Sequence, residues 1–536
     1  MDPAPTIQEN RSSEKPSVLP VLVLTGFLLI GLALRVAYIR LIDTPPFSDM
    51  ADYENMALNL LDGRGLSMDT SHLTYRAYRP PAYPVFIAAV YRFLGKEPVF
   101  VREVQCFLSV LTVVLVYGLG KELFSQGDGQ RSGGGRWVGL AAAGFLAFDE
   151  ASIFFTGQLL SETLFIFLMV LWSYLLVRSS SRPHVGMGTL LGLIGGVTIL
   201  VRPLFGPILL FGAFWYFRRA QVACKPPPSD WKKFSFIESP YAPPLALVIY
   251  AGMIVSLWGL RNYAVVGSFI PTSTNGGVNF YLGHHEDFGY ESFGNKEGIR
   301  RFLRARGIDS EVAESEIFTL QALQFIREHP LQDFRNNLKK IYYLYLAPAS
   351  WKTAFLPWKW WNYLESPYRP WPWEINRRKL RFWRVFDERG GEELPTYRDW
   401  FWREGRLPLV NWGWPVIYLT VAGILLAARR RERWGLPLGL LLVYTLTLMV
   451  FFANARFRTP ILPFLYLFTA YALVAGIGRL TGRRLATQPE AENSLSHAEI
   501  EAEVSTPSLE DPSPIEAETK LSGLARPHDP PRSASD

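Results

Sequence analysis

The chain is poor in charge and in cysteine. Only 19% of its 536 residues are Asp, Glu, Lys or Arg, below the roughly 25% of an ordinary soluble domain. Much of it therefore lacks the composition of a water-facing surface. The two cysteines, Cys106 and Cys224, lie in or beside apolar runs. They make no disulfide framework, and no paired Cys/His spacing suggests zinc. The Gly-rich phosphate loops of P-loop and dinucleotide folds are missing, which argues against a nucleotide-dependent pump. No small-x-small cleavage site follows the first apolar run, so no cleaved signal peptide is expected. There is no obvious internal repeat. The net charge of +7 would suit nucleic acid. The basic residues gather instead at the ends of apolar runs, which is the pattern of membrane topology.

What the chain does have is long apolar stretches. Residues 17–39 suffice to cross a bilayer, which needs about 20 apolar residues. Further runs lie near 101–120, 137–150, 158–177, 185–201, 203–217, 242–260, 412–428, 436–453 and 460–478. The expectation is an all-α polytopic membrane protein with about ten spans. Arg218, Arg219, Lys225, Lys232 and Lys233 follow one run, Arg429, Arg430, Arg431 and Arg433 another, and Arg479, Arg483 and Arg484 the last. The positive-inside rule puts these three places in the cytoplasm. The 41–100 stretch, the Arg202-Pro203 junction and the segment 261–411 then lie outside. The count closes if 81–94 is a re-entrant or juxtamembrane helix. Otherwise 81–94 crosses and a compensating span is hidden, with 341–356 a candidate.

The organisation expected is a disordered arm at 1–16, a transmembrane module at 17–260 containing a first outer loop at 41–100, an outer segment at 261–411, terminal spans at 412–480 and a disordered tail at 485–536. The tail is rich in Glu, Ser, Pro and Ala and buries too little to fold. Trp351, Trp358, Trp360, Trp361, Trp371 and Trp373 in the outer segment suit lipid headgroups, or the aromatic core of a small globular domain.

Chemistry gathers in the first outer loop. Ser48-Asp49-Met50-Ala51-Asp52-Tyr53-Glu54 opens a short amphipathic helix that Gly63 and Gly65 end. Ser48 or Asp49 would cap it, and Asp52 and Tyr53 share a face with Asp49. Asp49 can act as a general base. Asp52 and Glu54 are expected only to line or solvate the helix. Arg79, before Pro80-Pro81, can clamp a phosphate with its planar fork, or snorkel at the interface. Glu162 opens a span, where a carboxylate is costly unless paired or used. It could bind an acceptor, steer Arg79, cap its helix or share a divalent cation with Asp49. Arg202 and Arg456 put positive charge at outer span ends, against the topological bias, and a lipid phosphate is the natural partner. Plain headgroup anchoring is the other reading for both. His284-His285-Glu286-Asp287 has metal-binding residue types, but adjacent residues rarely ligate one metal and no further pattern supports them.

SDMADYENMALNLLDGRG, YRPPAYP, LLSETLF, RNYAVVGSFIPTSTNGGVNFYLG and RFRTPILPFL, in that order over 17–480, resemble the motifs of bacterial GT-C glycosyltransferases. These are relatives of protein O-mannosyltransferases and of the lipid A aminoarabinose transferase. The resemblance implies a GT-C fold of about ten to thirteen transmembrane helices in the cell membrane. It also implies a polyprenyl-phosphate-sugar donor used on the outer face, with a lipid, protein or polysaccharide as acceptor. It matches Asp49 to the base, Arg79 to a donor-phosphate contact where relatives often have Lys, Tyr53 to a tyrosine one turn on, and Glu162 to a second acid. Arg202 and Arg456 match basic positions for the lipid phosphate. Some relatives carry Asp-Glu at the base, whereas Met50 follows Asp49 here. No metal is therefore expected to be obligate, although a divalent cation is left open. The expectation is an inverting glycosyltransferase. The alternative is a transporter or flippase of polyprenyl-linked glycans, which would need polar residues deep within its spans, and a scaffold acting through its acidic tail is a further one.

Overall fold

The structure, a computed structural model, describes residues 18–40, 46, 48–70, 73–124, 134–223, 239–286, 288, 295–346, 413–429, 434–453 and 455–480. The expected arm and tail, and the six tryptophans of the outer segment, lie outside these residues.

A helix stands at each of the ten apolar runs. These are α1 (Leu19–Arg40), α4 (Pro98–Leu123), α5 (Gly134–Ala147), α7 (Glu162–Ser179), α8 (Val185–Val201), α9 (Phe205–Ala223), α10 (Ala242–Val266), α15 (Gly413–Arg429), α16 (Gly435–Val450) and α17 (Leu462–Leu480). Among the described residues, five helical stretches are long and apolar enough to cross a membrane: α1, α4, α7, α10 and Arg456–Leu480. A sixth arises if α5 and α6 (Glu150–Thr156), bent by 54°, form one span. The polytopic all-helical expectation is met, apart from one small hairpin.

The bend between α5 and α6 has a local cause. Asp149 caps α6, its Oδ2 accepting from the Ser152 amide at 2.6 Å. The carbonyls of Leu146 and Ala147, released where α5 ends, accept from the buried Arg35 guanidinium at 3.2 and 2.8 Å. Ser109 accepts from Arg35 Nε at 2.9 Å. A charge inside α1 is thus fully hydrogen-bonded, which is how a membrane helix tolerates one.

Between the apolar helices lie shorter ones: α2 (Asp49–Leu61), α3 (Ala82–Leu94), α11 (Asn275–Gly283), α12 (Lys296–Ala305), α13 (Glu311–Glu328) and α14 (Pro330–Tyr345). At 13 residues, α3 is roughly 20 Å long, short of a hydrocarbon core about 30 Å thick. It packs on α2, α4 and α8. This favours the juxtamembrane reading of 81–94. Residues 341–345 belong to α14, and 347–356 of the candidate span 341–356 lie outside the described residues.

The hairpin pairs β1 (Met68–Asp69) with β2 (Thr74–Tyr75), Met68 opposite Tyr75. Asn59 of α2 ties it down, donating to Asp69 Oδ2 at 2.9 Å and to the Ser67 carbonyl at 3.0 Å. Met56, Leu66, Met68, Tyr75 and Tyr78 pack beneath it. The chain thus reaches Arg79 along a pinned path.

Helix α14 is tied to the end of α16. Lys340 donates to the Met449 carbonyl at 2.7 Å, and His284 meets the Val450 carbonyl through Nε2 at 3.0 Å and Asp333 through Nδ1 at 2.6 Å. His284 is thereby engaged in holding elements together. Burial lowers the Lys340 ammonium to about 7.

Close packing of α8 on α10 depends on glycines at a four-residue spacing. A Cβ on Gly188, Gly192 or Gly196 would collide with Pro243, Leu247 and Ile254 of α10 respectively. Small residues at this spacing let membrane helices approach backbone to backbone. Gly192→Val is expected to cost about 1–3 kcal/mol through overpacking. Thermal unfolding of the detergent-solubilised protein checks this, and an unchanged Tm would contradict it.

Candidate active site

The site is built where helix ends meet. Helix α2 starts at Asp49. Ser48 before it has φ of 52° and makes no capping hydrogen bond through its side chain. A positive φ is costly for a residue with a Cβ, and Ser48 is the one described non-glycine residue that has it. Asp49 is free of capping duty in its turn, because its carboxylate faces two arginines.

Arg79 Nη2 donates to Asp49 Oδ1 at 2.7 Å and to Asp52 Oδ2 at 2.6 Å. Arg456 Nη1 donates to Asp49 Oδ2 at 3.0 Å, and its Nε donates to Glu162 Oε1. Arg202 Nη2 pairs with Glu162 Oε1 at 2.7 Å, and Arg202 Nε donates to Ser161 Oγ at 2.9 Å. The order Arg202, Glu162, Arg456, Asp49, Arg79, Asp52 alternates in sign along an unbroken chain of contacts. It joins the end of α8, the start of α7, the 3₁₀ turn Ala455–Ile461, α2 and the loop before α3.

Aromatic faces complete the surroundings. The Arg79 guanidinium lies 5.4 Å from the Tyr53 ring centre and 5.3 Å from that of Tyr78. Tyr53 packs edge-on against Tyr83 at 5.0 Å. Arg202 lies 5.7 Å from the Phe165 ring centre and 5.9 Å from that of Phe457. All six residues singled out from the sequence, Asp49, Tyr53, Arg79, Glu162, Arg202 and Arg456, meet here. Sequence reasoning missed Asp52 as a partner of Arg79. Glu54 does not simply face solvent either: it accepts from the Tyr91 hydroxyl at 2.6 Å.

Burial is uneven along the chain of charges. The Glu162 side chain is fully buried, those of Arg202 and Arg79 are 11% and 14% exposed, and that of Asp49, between Arg456 and Arg79, is 37% exposed. The network is closed at Glu162 and opens at Asp49. Arg79 is held inside rather than snorkelling outward. Within this network three buried polar atoms have no hydrogen-bond partner among the described residues: Arg79 Nε, Arg202 Nη1 and Glu162 Oε2. Unmet buried donors are expensive, and two of the three belong to arginines.

Helices α12 and α13 brace the same loop. Glu311 of α13 accepts from the amides of Arg76 and Ala77 at 2.9 and 3.1 Å and from Thr274 Oγ1 at 2.9 Å. Arg300 of α12 donates to the Tyr78 hydroxyl at 3.1 Å and pairs with Glu314 at 2.8 Å. Glu311, Arg300 and Glu314 were not singled out from the sequence.

Burial works to raise the Asp49 carboxyl, but Arg79 first and Arg456 next outweigh it and hold it well below the usual carboxylate range. A depressed folded-state value means Asp49 adds stability that is present above about pH 4. That stability is lost as pH falls further. Asp49 and Glu162 are bridged by Arg456, so an arginine stands where the sequence left room for a shared cation. Among the described residues no group of three His, Cys, Asp or Glu side chains is placed to hold a metal.

Glu162→Gln leaves Arg202 and Arg456 without their common buried anion, and breaking such a pair costs about 3–5 kcal/mol. A large drop in Tm is expected. A melt equal to the parent protein's would show that Glu162 is not what neutralises them.

Comparison with known proteins places part of this chain. Residues 78–221, which include Arg79, Glu162 and Arg202, match the model of the dolichyl-phosphate-mannose-protein mannosyltransferase family. No curated protein matches the chain. Similar solved structures include the oligosaccharyltransferase AglB of Archaeoglobus fulgidus with an inhibitory peptide and a dolichol-phosphate. It has 14% identity over 90% of this chain and 54% of that one, with a TM-score of 0.39. The Archaeoglobus fulgidus enzyme with Zn and sulfate has 13% identity over 86% and 50%, with a TM-score of 0.44. ArnT of Cupriavidus metallidurans bound to undecaprenyl phosphate has 14% identity over 88% and 81%, with a TM-score of 0.30. The chain spans about half the length of the oligosaccharyltransferases. The segment carrying three of the six site residues matches the mannosyltransferase family.

Proposed function

We propose that the protein is an integral-membrane glycosyltransferase that moves a sugar from a polyprenyl-phosphate donor to an acceptor hydroxyl. The observation that carries this reading is a half-exposed carboxylate, Asp49, held between two arginines, Arg79 and Arg456. A base and a phosphate clamp are what inverting transfer needs, and here they share atoms. Family membership of the matched segment and the polytopic helical architecture support the same class.

In this mechanism the donor phosphate arrives at Arg79 and Arg456. Its oxygens compete with Asp49 for the guanidinium hydrogens, and charge-assisted bonds to phosphate are strong enough to do so. Asp49 is released toward the acceptor. It takes the proton of the acceptor hydroxyl as that oxygen bonds to the anomeric carbon. The bond from that carbon to the phosphate oxygen breaks, and the electron pair leaves on polyprenyl phosphate. The arginines stabilise the charge developing there. Arg202, anchored on Ser161 and Glu162, supports Arg456 from behind and supplies Nη1. Tyr53 keeps Arg79 at its height over the site. No residue of this scheme requires a metal, and a divalent cation on the donor is compatible with it.

The charged ends of α9 (Arg218, Arg219) and α17 (Arg479) support a cytoplasmic side for those ends under the positive-inside rule. The site then opens outside the cell membrane, with α11–α14 as the acceptor-side cover. The sugar is read by contacts other than the charges described, and the acceptor is a hydroxyl of a lipid, protein or polysaccharide.

The test is transfer by the purified protein in bilayer discs, with polyprenyl-phosphate-linked sugars as donors. Asp49→Asn should lower kcat by about 10²–10⁴-fold with folding and insertion retained, whereas normal turnover would remove Asp49 as base. Arg79→Ala should raise the donor KM strongly, and an unchanged KM would leave Arg79 an interfacial side chain.

The pH profile carries a signed expectation. In the free enzyme two arginines depress the Asp49 carboxyl. In the donor complex they are shared with phosphate, so its pKa rises. The acid limb of kcat, which reports the complex, should therefore lie at higher pH than that of kcat/KM for the donor, which reports the free enzyme. Coincident limbs would contradict the exchange of partners.

A further inference from the structure

Arg79 Nη2 carries two hydrogens, and both are used. One goes to Asp49 Oδ1 at 2.7 Å and the other to Asp52 Oδ2 at 2.6 Å. The two carboxylates are otherwise not equivalent. Asp49 is also bound by Arg456 through its second oxygen. Asp52 sits one turn further along α2, and Arg79 is its ion-pair partner among the described residues. Arg79 itself leaves a buried Nε without a partner, and its guanidinium is flanked by Tyr53 and Tyr78.

We infer that Asp52 is a positioning residue that keeps Arg79 in place as a phosphate ligand when Asp49 leaves to act as base. The inference rests on the reading of Arg79 as a phosphate ligand given above. The geometry sets the need. A guanidinium held at Nη2 by Asp49 alone would lose its only anchor at the moment the base turns to the acceptor. Held by both, it keeps one hydrogen bond and one counter-charge on the rigid start of α2. The buried Nε hydrogen has no partner among the described residues. Asp52 therefore trades attraction for order, because an added carboxylate repels a phosphate while it orients the arginine that binds it.

That opposition makes the test sharp. If Asp52 were only a nearby charge, removing it would raise the positive potential and tighten phosphate binding. If it positions Arg79, removing it weakens binding. Binding of undecaprenyl phosphate to the full-length detergent-purified protein, followed by its thermal stabilisation across a titration, reads the difference. Asp52→Asn is expected to weaken binding about five- to tenfold, and Asp52→Glu to restore most of it. Unchanged or tighter binding by Asp52→Asn, or no recovery in Asp52→Glu, would overturn the inference. Should Asp52→Asn not fold, Asp52→Ser carries the same outcomes. Arg79→Ala in the same titration separates the two layers. If it binds as the parent does, the phosphate-clamp reading itself fails. If it binds weakly while Asp52→Asn does not, only the role of Asp52 fails.

Discussion

Three carboxylates and three guanidiniums, alternating from Arg202 to Asp52, hold the helix ends around the site together. Each charge is costly beside a membrane unless matched. Matching is complete in sign, because three positives meet three negatives. It is incomplete in hydrogen bonds, because Arg79 Nε, Arg202 Nη1 and Glu162 Oε2 are left over among the described residues. Glu162 is the fully buried member of the network and Asp49 its most exposed one.

The fold holds that network in place. The helix ends that carry Glu162, Arg202 and Arg456 cannot separate without exposing the others. The 3₁₀ turn bearing Arg456 is held by Tyr444, whose hydroxyl donates to the Phe457 carbonyl at 2.9 Å, and by Arg458, which donates to the Tyr345 carbonyl at 2.8 Å. The loop bearing Arg79 is held by Glu311 from above and by the hairpin below. Strain at Ser48 starts α2 at Asp49. The ends of α7 and α8 thus fix one side of the site, and α12 and α13 the other.

Much of this was legible in the chain. Hydropathy is a local property, so all ten apolar runs reappear as helices, and 185–201 coincides with α8 end to end. Charge in an unfavourable place was equally legible: Glu162, Arg202 and Arg456 drew attention because a lone charge at a span end needs a partner. What was hidden is pairing across sequence distance. Asp52 shares a face with Asp49 in any helical reading, yet only the fold brings Arg79, 27 residues on, against both. Glu311 reaches back more than 230 residues to the Arg76 and Ala77 amides, and no local pattern announces that. The Gly188, Gly192 and Gly196 spacing could have been found as a small-residue stripe, though not its partner helix.

The account's central claim is that Arg79 and Arg456 exchange Asp49 for a lipid phosphate. A cryo-EM structure of the protein with undecaprenyl phosphate bound tests it most directly. The account predicts phosphate oxygens within hydrogen-bond distance of both arginines, with Arg79–Asp49 and Arg456–Asp49 lengthened and Arg79–Asp52 kept. A phosphate bound elsewhere, with both Asp49 contacts intact, would contradict it.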